Sequence, residues 1–486
     1  MRRSATKAGS TQERGALDVS RVQTTDTQDS SRSFSRKGVK AVRHRSRHVL
    51  AGLIGALVLV GSLAVVAAGS AGTSATEQSI KPPKVANAKA IKAKYGGTSI
   101  TFLGDGPVGT SHKRDQMLVA QFSKDTGIKV KLVPHPVASD ASYAQLARTF
   151  SSKSSAFDVV MLDVLWPGAF APYLVNLKPA MAKDAKAHDP GIIKNDTVNG
   201  KLVAMPWFGD FGILYYRTDL LRKYGYSKPP TTWAQLGAMA QKIQDGEQAS
   251  NPNFYGFVYQ GNAYEGLTCD ALEWLASSGG GHFIDNGKAS INNPRAVAML
   301  NLQRSWVGKI TPRGVTTYQE GEADQAFGAG NAAFMRNWPY AYSKSQTGPV
   351  KGKFDVTVLP HTGKNPSVAT VGGWQLGISA FSKNKGAAIE LVRYMTGART
   401  QRFSAIFNAN VPTIPAVAKD AAVRKVNPYL KPEVAGVARV GRPTILGAKY
   451  AQGSQIIYQG LNQVLNGQDA KNVLPGIEQR LNRLLR

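Results

Sequence analysis

From Ile100 to Leu162 short apolar runs alternate with stretches of helical periodicity, and this alternation limits the fold more than any other feature. Ile100–Leu103 is apolar enough for a short strand and closes in the turn Gly104-Asp-Gly-Pro-Val-Gly109. His112–Thr126 places Leu118 and Phe122 on one helical face and stops at Gly127, a residue suited to the left-handed end of a helix. Ile128–Val133 alternates as a half-buried strand, a helix is expected near 141–151, and Phe157–Leu162 is continuously apolar, as a strand covered on both faces should be. Strand, helix, strand, helix, strand implies right-handed crossovers and a parallel sheet. Ligands of such sheets bind beyond the carboxyl ends of the strands. Asp163, which closes the third strand, is therefore a candidate ligand contact, or else the cap of the turn at Trp166-Pro-Gly168.

The stretch Trp207-Phe-Gly-Asp-Phe-Gly-Ile-Leu-Tyr-Tyr-Arg217 comes next in importance. An apolar run follows one acid, Asp210, which stands beside Trp207 and Phe208. An aromatic wall next to a lone carboxylate suits a sugar, whose C–H faces lie on rings and whose hydroxyls seek charged partners. A core strand with a chance acid has the same pattern. Thr370–Ser379 is a second crossing candidate: Gly372 and Gly373 allow close backbone approach, and Trp374 is either a stacking face or a core residue. Gly330–Tyr340 reads as a strand ending in Asn337-Trp338-Pro339. Thr232 and Gln235 have the capping-box spacing, with Trp233, Leu236, Met239 or Ala240, and Ile243 on one helical face. A helix is expected from Cys269 to Ser277, and the end of the chain, 454–486, is expected to be helical with breaks at Gly467 and Pro475.

With 486 residues the chain needs two or three domains. Its net charge of +29 is partly local, since residues 1–48 contribute an excess of eight positive charges and leave +21 for the rest. Residues 1–48 read as a disordered basic tail in the cytoplasm. Val49–Gly69 is 21 residues without a charge, about 32 Å as a helix and enough to span a bilayer. It is either a transmembrane anchor or a signal segment cut near Ala68, Ser70 or Gly72, and either way the remainder is exported. Residues 70–96, with Pro82-Pro83, read as a linker. Lys and Arg beyond the tail are scattered without interleaved aromatics, so no nucleic-acid partner is expected.

Motifs for several chemistries are missing. There is no Walker loop, no H-E-x-x-H and no Gly-x-Ser-x-Gly elbow; the seven histidines do not pair at metal spacing, and Cys269 is the sole cysteine. No metal, no cofactor and no catalytic residue is expected. Asp163, Asp210 and Glu265 could nevertheless form an acid/base pair on a glycoside, and a binding site would use the same residue types.

Several strings together resemble the extracellular solute-binding proteins of ABC sugar importers (family 1), and within them the trehalose/maltose-binding branch. They are Asp210–Arg217 ending in Leu-Tyr-Tyr-Arg; Lys223-Tyr-Gly-Tyr-Ser-Lys-Pro-Pro-Thr-Thr-Trp233; Asn251-Pro-Asn-Phe-Tyr-Gly-Phe257; Tyr264-Glu-Gly-Leu-Thr-Cys-Asp270; Gly330-Asn-Ala-Ala-Phe334 with Asn337-Trp-Pro-Tyr-Ala341; and Gly372-Gly-Trp374. The resemblance implies a two-lobed α/β periplasmic-binding-protein fold (type II) with a hinged cleft. Its first lobe would take 97–209 and 373–423, its second 210–372 and 424–486. It implies ligand contacts at Asp163, Phe208, Asp210, Trp338, Gly373, Trp374 and Arg442, with Glu265 beside them and a further acidic contact near Asp105. Phe208 stands where the relative has a tyrosine, and Ser142 where it has an arginine. The implied protein is a non-enzymatic monomer on the outer face of the membrane. It would be tethered by its N-terminal helix or secreted after cleavage, and would capture a disaccharide such as trehalose or maltose for ABC permease subunits. A cleft glycosidase and a sugar sensor without a transport role are the alternatives.

Overall fold

The computed structural model describes residues 80–486. The basic tail, the uncharged segment at 49–69 and the first part of the expected linker lie outside the described residues. Among the described residues no helix is long and apolar enough to cross a membrane.

In chain order the main strands are β1 (Ser99–Gly104), β2 (Lys129–Pro134), β3 (Val159–Asp163), β4 (Ala204–Phe211), β5 (Ile213–Arg217), β6 (Tyr255–Val258), β7 (Ala332–Asn337), β8 (Phe354–Thr357), β9 (Val368–Ile378) and β10 (Ala438–Val440). β1 runs parallel to β2, with Ser99 opposite Lys129, and to β3, with Phe102 opposite Val159. The intervening helices are α1 (Ser111–Thr126) and α2 (Ser139–Ser151), so the parallel unit expected from the alternation is present. β3 is buried at every residue, which accounts for its unbroken apolar run. β9 pairs antiparallel with β3 along one edge and with β4 along the other. The second sheet has the order β8-β5-β7-β6, with β5 antiparallel to both neighbours and β7 parallel to β6.

The two sheets are joined by very short crossings. Only Gly212 separates β4, in the first sheet, from β5, in the second. β9 changes partner along its length: Val368–Thr370 pairs with β10, and the residues from Val371 onward pair with β4. A Cβ on Gly212 would lie 1.9 Å from Glu273 Oε1 and 2.7 Å from Arg336 Nη2. Gly212→Ala is thus expected to cost more than about 2 kcal/mol, because the methyl must displace a buried ion pair. Urea unfolding measures this, and a loss below about 0.5 kcal/mol would show that the pair moves aside freely.

Local expectations fare unevenly. Thr232 caps the helix α3 (Trp233–Glu247) through the expected capping box, with Gln235 N donating to Thr232 Oγ1 at 3.2 Å and Thr232 N donating to Gln235 Oε1 at 3.3 Å. Trp233, Leu236, Met239, Ala240 and Ile243 are all buried. Three readings need correction. Within the stretch read as a linker, Ala88–Tyr95 is helical and buries Ile91, while Val85 N donates to Asp125 Oδ2 and the Tyr394 hydroxyl to the Pro83 carbonyl, each at 2.9 Å. A Lys- and Ala-rich helix with one buried residue carries almost no apolar signal. The helix expected from Cys269 is α4 (Glu265–Ser277), so Glu265 sits in its first turn. Pro475 breaks nothing: it lies inside the last helix, Ala470–Leu484, whose buried Val473, Leu474, Ile477 and Leu481 pack on the helix Tyr450–Leu465. The break near Gly467 is present, between these two helices.

Candidate functional site

The register of three strands assembles one wall of a cleft. Trp374 lies opposite Asp163 of β3 on one side and opposite Phe208 of β4 on the other, and Gly372 lies opposite Asp210. Glu265 on α4, Trp338 after β7 and Arg442 after β10 line the same cleft. Asp163, Phe208, Asp210, Glu265, Trp338, Gly373, Trp374 and Arg442 therefore share one cleft.

Arg442 links the two sides. Its Nη2 donates to both oxygens of Asp163, at 2.9 and 3.0 Å, and its Nη1 to Glu265 Oε1 at 2.6 Å. Its Nε, buried, has no partner among the described residues, so the donors of the guanidinium fork are not all used. Glu265 is already satisfied: besides Arg442, the Tyr450 hydroxyl donates to Oε1 and Ser454 Oγ to Oε2 at 2.6 Å. Burial raises its pKa despite the opposing Arg442 charge. Such a saturated carboxylate is built to aim Arg442 rather than to receive hydroxyls. Asp163 also accepts the Leu165 amide at 3.0 Å, so it serves as a local turn cap and as an ion-pair partner together.

Asp210 is the opposite case. Its Oδ1 is enclosed and has no hydrogen-bond partner among the described residues. Burial, and then the charge of Asp105, push its pKa well above the usual carboxylate range. Trp374 is clamped by His135, stacked at 5.1 Å and 27°, and by Trp166, edge-on at 5.6 Å. Trp338 donates from Nε1 to Glu320 Oε1 at 3.2 Å and carries the Arg336 guanidinium 4.0 Å from its ring centre. Both indoles are thus held in place.

One detail of the sequence reading changes. Trp207 is buried in the first-lobe core against Phe102 and does not line the cleft; neighbouring strand residues point to opposite faces, and of the two only Phe208 reaches the cleft. The glycines at 372 and 373 line the cleft and are also closely packed: a Cβ on Gly373, at φ +129°, would lie 2.8 Å from the Phe208 carbonyl, and one on Gly372 3.1 Å from Trp338. Ser142 is buried with its Oγ unpartnered among the described residues, and its neighbour Tyr143 packs on Trp166 and Phe170. Lining residues that the sequence did not single out include His135, Tyr264, Glu320, Tyr340 and Asn410. Tyr264 and Tyr340 lay within the informative strings; the others carry no local signal. Among the described residues no group of three His, Cys, Asp or Glu side chains could hold a metal ion.

The family model described as bacterial extracellular solute-binding protein matches residues 109–402. A relative from Deinococcus radiodurans, a probable ABC transporter-binding protein, is 48% identical over 356 residues, covering 72% of this chain and 84% of that protein. Maltose-bound T. maritima MalE3 superposes with a TM-score of 0.76 at 38% identity, over 80% of this chain and 100% of that one. The GacH receptor of Streptomyces glaucescens, solved unliganded and with acarbose, matches with a TM-score of 0.70 over 80% of this chain and 98% of its own; at 24% identity this shows the fold alone. Two α/β lobes, strands that cross between them and a cleft lined from both sides are the architecture these proteins share, and the chain belongs to the bacterial extracellular solute-binding protein family.

Proposed function

We propose that this protein is the extracellular carbohydrate-binding subunit of an ABC importer, a monomer that takes a disaccharide such as maltose or trehalose into the interlobe cleft and presents it to membrane permease subunits. The observation that carries the reading is Asp210 Oδ1, an enclosed acceptor without a partner among the described residues, in a cleft also lined by the fixed indoles of Trp338 and Trp374. Rings for C–H faces beside an unsatisfied carboxylate are what a sugar requires. In this reading Asp210 accepts hydroxyl protons, Arg442 donates from Nε, Phe208, Trp338 and Trp374 give apolar faces, and Asp163 and Glu265 hold Arg442. The relative named as an ABC transporter-binding protein and the maltose carried by MalE3 support it. Because Asp163 and Glu265 are both engaged by Arg442, neither is a free acid or base, which weighs against a glycosidase. The uncharged stretch 49–69 behind a basic tail supports a tether on the outer face of the membrane. Ligand contacts to both lobes would drive a hinge closure.

Calorimetric titration of the full-length protein with maltose, trehalose, sucrose and a set of monosaccharides tests this. Binding of a disaccharide that is recovered intact is the expected result. Silence across the panel overturns the reading, and release of monosaccharide would replace it with the hydrolase.

A further inference from the structure

The cleft lies at the carboxyl ends of the first-lobe strands: Asp105, just past β1, and Asp163, the last residue of β3, both line it. The opposite end, where these strands begin, is basic. There β1 and β2 start side by side, with Ser99 opposite Lys129. The helix Ala88–Tyr95 is tied to the same end. Gly97 N donates to the Gly127 carbonyl at 2.9 Å, and a Cβ on Gly127 would lie 3.7 Å from Lys92 Cε. The helix Lys385–Thr396 joins them: Asn384 Nδ2 donates to the Ser99 carbonyl at 3.0 Å, and a Cβ on Gly386 would lie 2.6 Å from the Tyr95 hydroxyl. Lys84, Lys89, Lys92, Lys94, Lys129 and Lys385 are exposed on or beside these adjoining elements. Asp125 and Asp158, acids of the same end, are turned onto the protein. Asp125 Oδ2 accepts the Val85 amide at 2.9 Å, and Asp158 accepts the Thr101 amide at 2.8 Å and the Ser382 hydroxyl at 2.5 Å. Glu390 and Asp184 are shared with Arg393.

These lysines do nothing for the fold. The helix Ala88–Tyr95 has no acid in its first turn and no side-chain cap, and Lys89 and Lys92, at i and i+3, repel each other. Such a surplus complements an anionic sheet outside the protein. The chain also brings it near one. In the tethered reading Ile80 follows Gly69, the end of the uncharged stretch, by eleven residues, a reach of no more than about 38 Å. We propose that the base of the first lobe is a lipid-docking surface, on which anionic phospholipid headgroups seat among these six lysines. The proposal rests on the outer-face tether above and goes beyond the sugar site. Docked this way, the first lobe turns the carboxyl ends of its strands, and with them the cleft, away from the lipid and toward incoming solute.

The test reconstitutes the full-length protein with vesicles of phosphatidylcholine, alone or with phosphatidylglycerol. A membrane-impermeant acylating reagent then labels lysines, and mass spectrometry reads each site. Lys89, Lys92, Lys129 and Lys385 are expected to react about fivefold more slowly on the anionic vesicles. High salt restores the rates, and Lys228 and Lys471, exposed elsewhere on the protein, react equally on both. Combining Lys89→Gln, Lys92→Gln and Lys94→Gln, all at exposed positions, is expected to return Lys129 and Lys385 to their rates on neutral vesicles. Equal labelling on both vesicles, with the protein floating with both, overturns the docking surface and leaves the tether standing. Flotation with anionic vesicles only, reversed by salt, supports the surface and overturns the tether. Flotation with neither overturns both. Protection by soluble polyphosphate but not by phosphatidylglycerol overturns the lipid in favour of an anionic polymer.

Discussion

Arg336→Ala is expected to lower the free energy of unfolding by about 3–5 kcal/mol, the range for removing one partner of a buried ion pair. Arg336 is buried near the end of β7. Its Nε and Nη2 donate to the two oxygens of Glu273 at 2.8 and 2.7 Å, and its Nη1 donates to Gln260 Oε1 at 2.9 Å. Asp270 Oδ1 lies 3.0 Å from Nε. Burial pushes the carboxyls of Asp270 and Glu273 upward, and the Arg336 charge opposes it. Removing the guanidinium would leave two carboxylates in a low-dielectric interior without a counter-charge. The cluster also sits at the crossings: Glu273 Oε1 accepts the Thr370 amide of β9 at 3.0 Å and fills the space beside Gly212. Urea unfolding of the full-length protein measures the effect. Replacing Arg336, Asp270 and Glu273 together by apolar residues of similar volume should recover much of the loss, because no charge is then left unpaired. A single-variant loss below about 1 kcal/mol would mean that water reaches the cluster.

Asp210→Asn is expected to weaken sugar binding by about 1.5–3 kcal/mol, the worth of a hydrogen bond to a charged group, while making the ligand-free protein more stable at neutral pH. The two effects have one cause. Burial and the neighbouring Asp105 disfavour the Asp210 charge when the cleft holds no donor for it. A carboxyl whose folded pKa lies above its unfolded one binds more protons in the folded state. Stability therefore falls as pH rises from the ordinary carboxylate range through the raised folded value. The amide removes that penalty together with the charge a ligand would use. Thermal melts of wild type and variant across this pH range, paired with titrations, check the prediction. A variant that melts lower than wild type at neutral pH, or that binds sugar unchanged, contradicts it.

The legible parts of this protein share a physical property: their signal is local. The parallel unit from β1 to β3 showed itself because burial on both faces demands an unbroken apolar run. The capping box at Thr232 showed itself because its two hydrogen bonds lie within one helical turn. Asp163 could be named because it ends a strand at the carboxyl edge of the sheet, where α/β proteins bind ligands, and Asp210 and Trp374 because each stands in one short stretch with aromatic rings or paired glycines.

What the sequence determined, then, was the alternation of elements, the two-lobed class and the chemical character of the cleft wall. Tertiary structure alone decided which carboxylates are free. Asp163 and Glu265, 102 residues apart in the chain, are tied up by Arg442, whereas Asp210 is left without a donor. It also decided that Trp207 belongs to the core, that Gly212 yields space to Glu273, and that His135 meets Asp105 beside Trp374. The reason is the same in each case. Whether a polar group is satisfied depends on partners brought from distant strands and helices, and neither periodicity nor spacing encodes those distances.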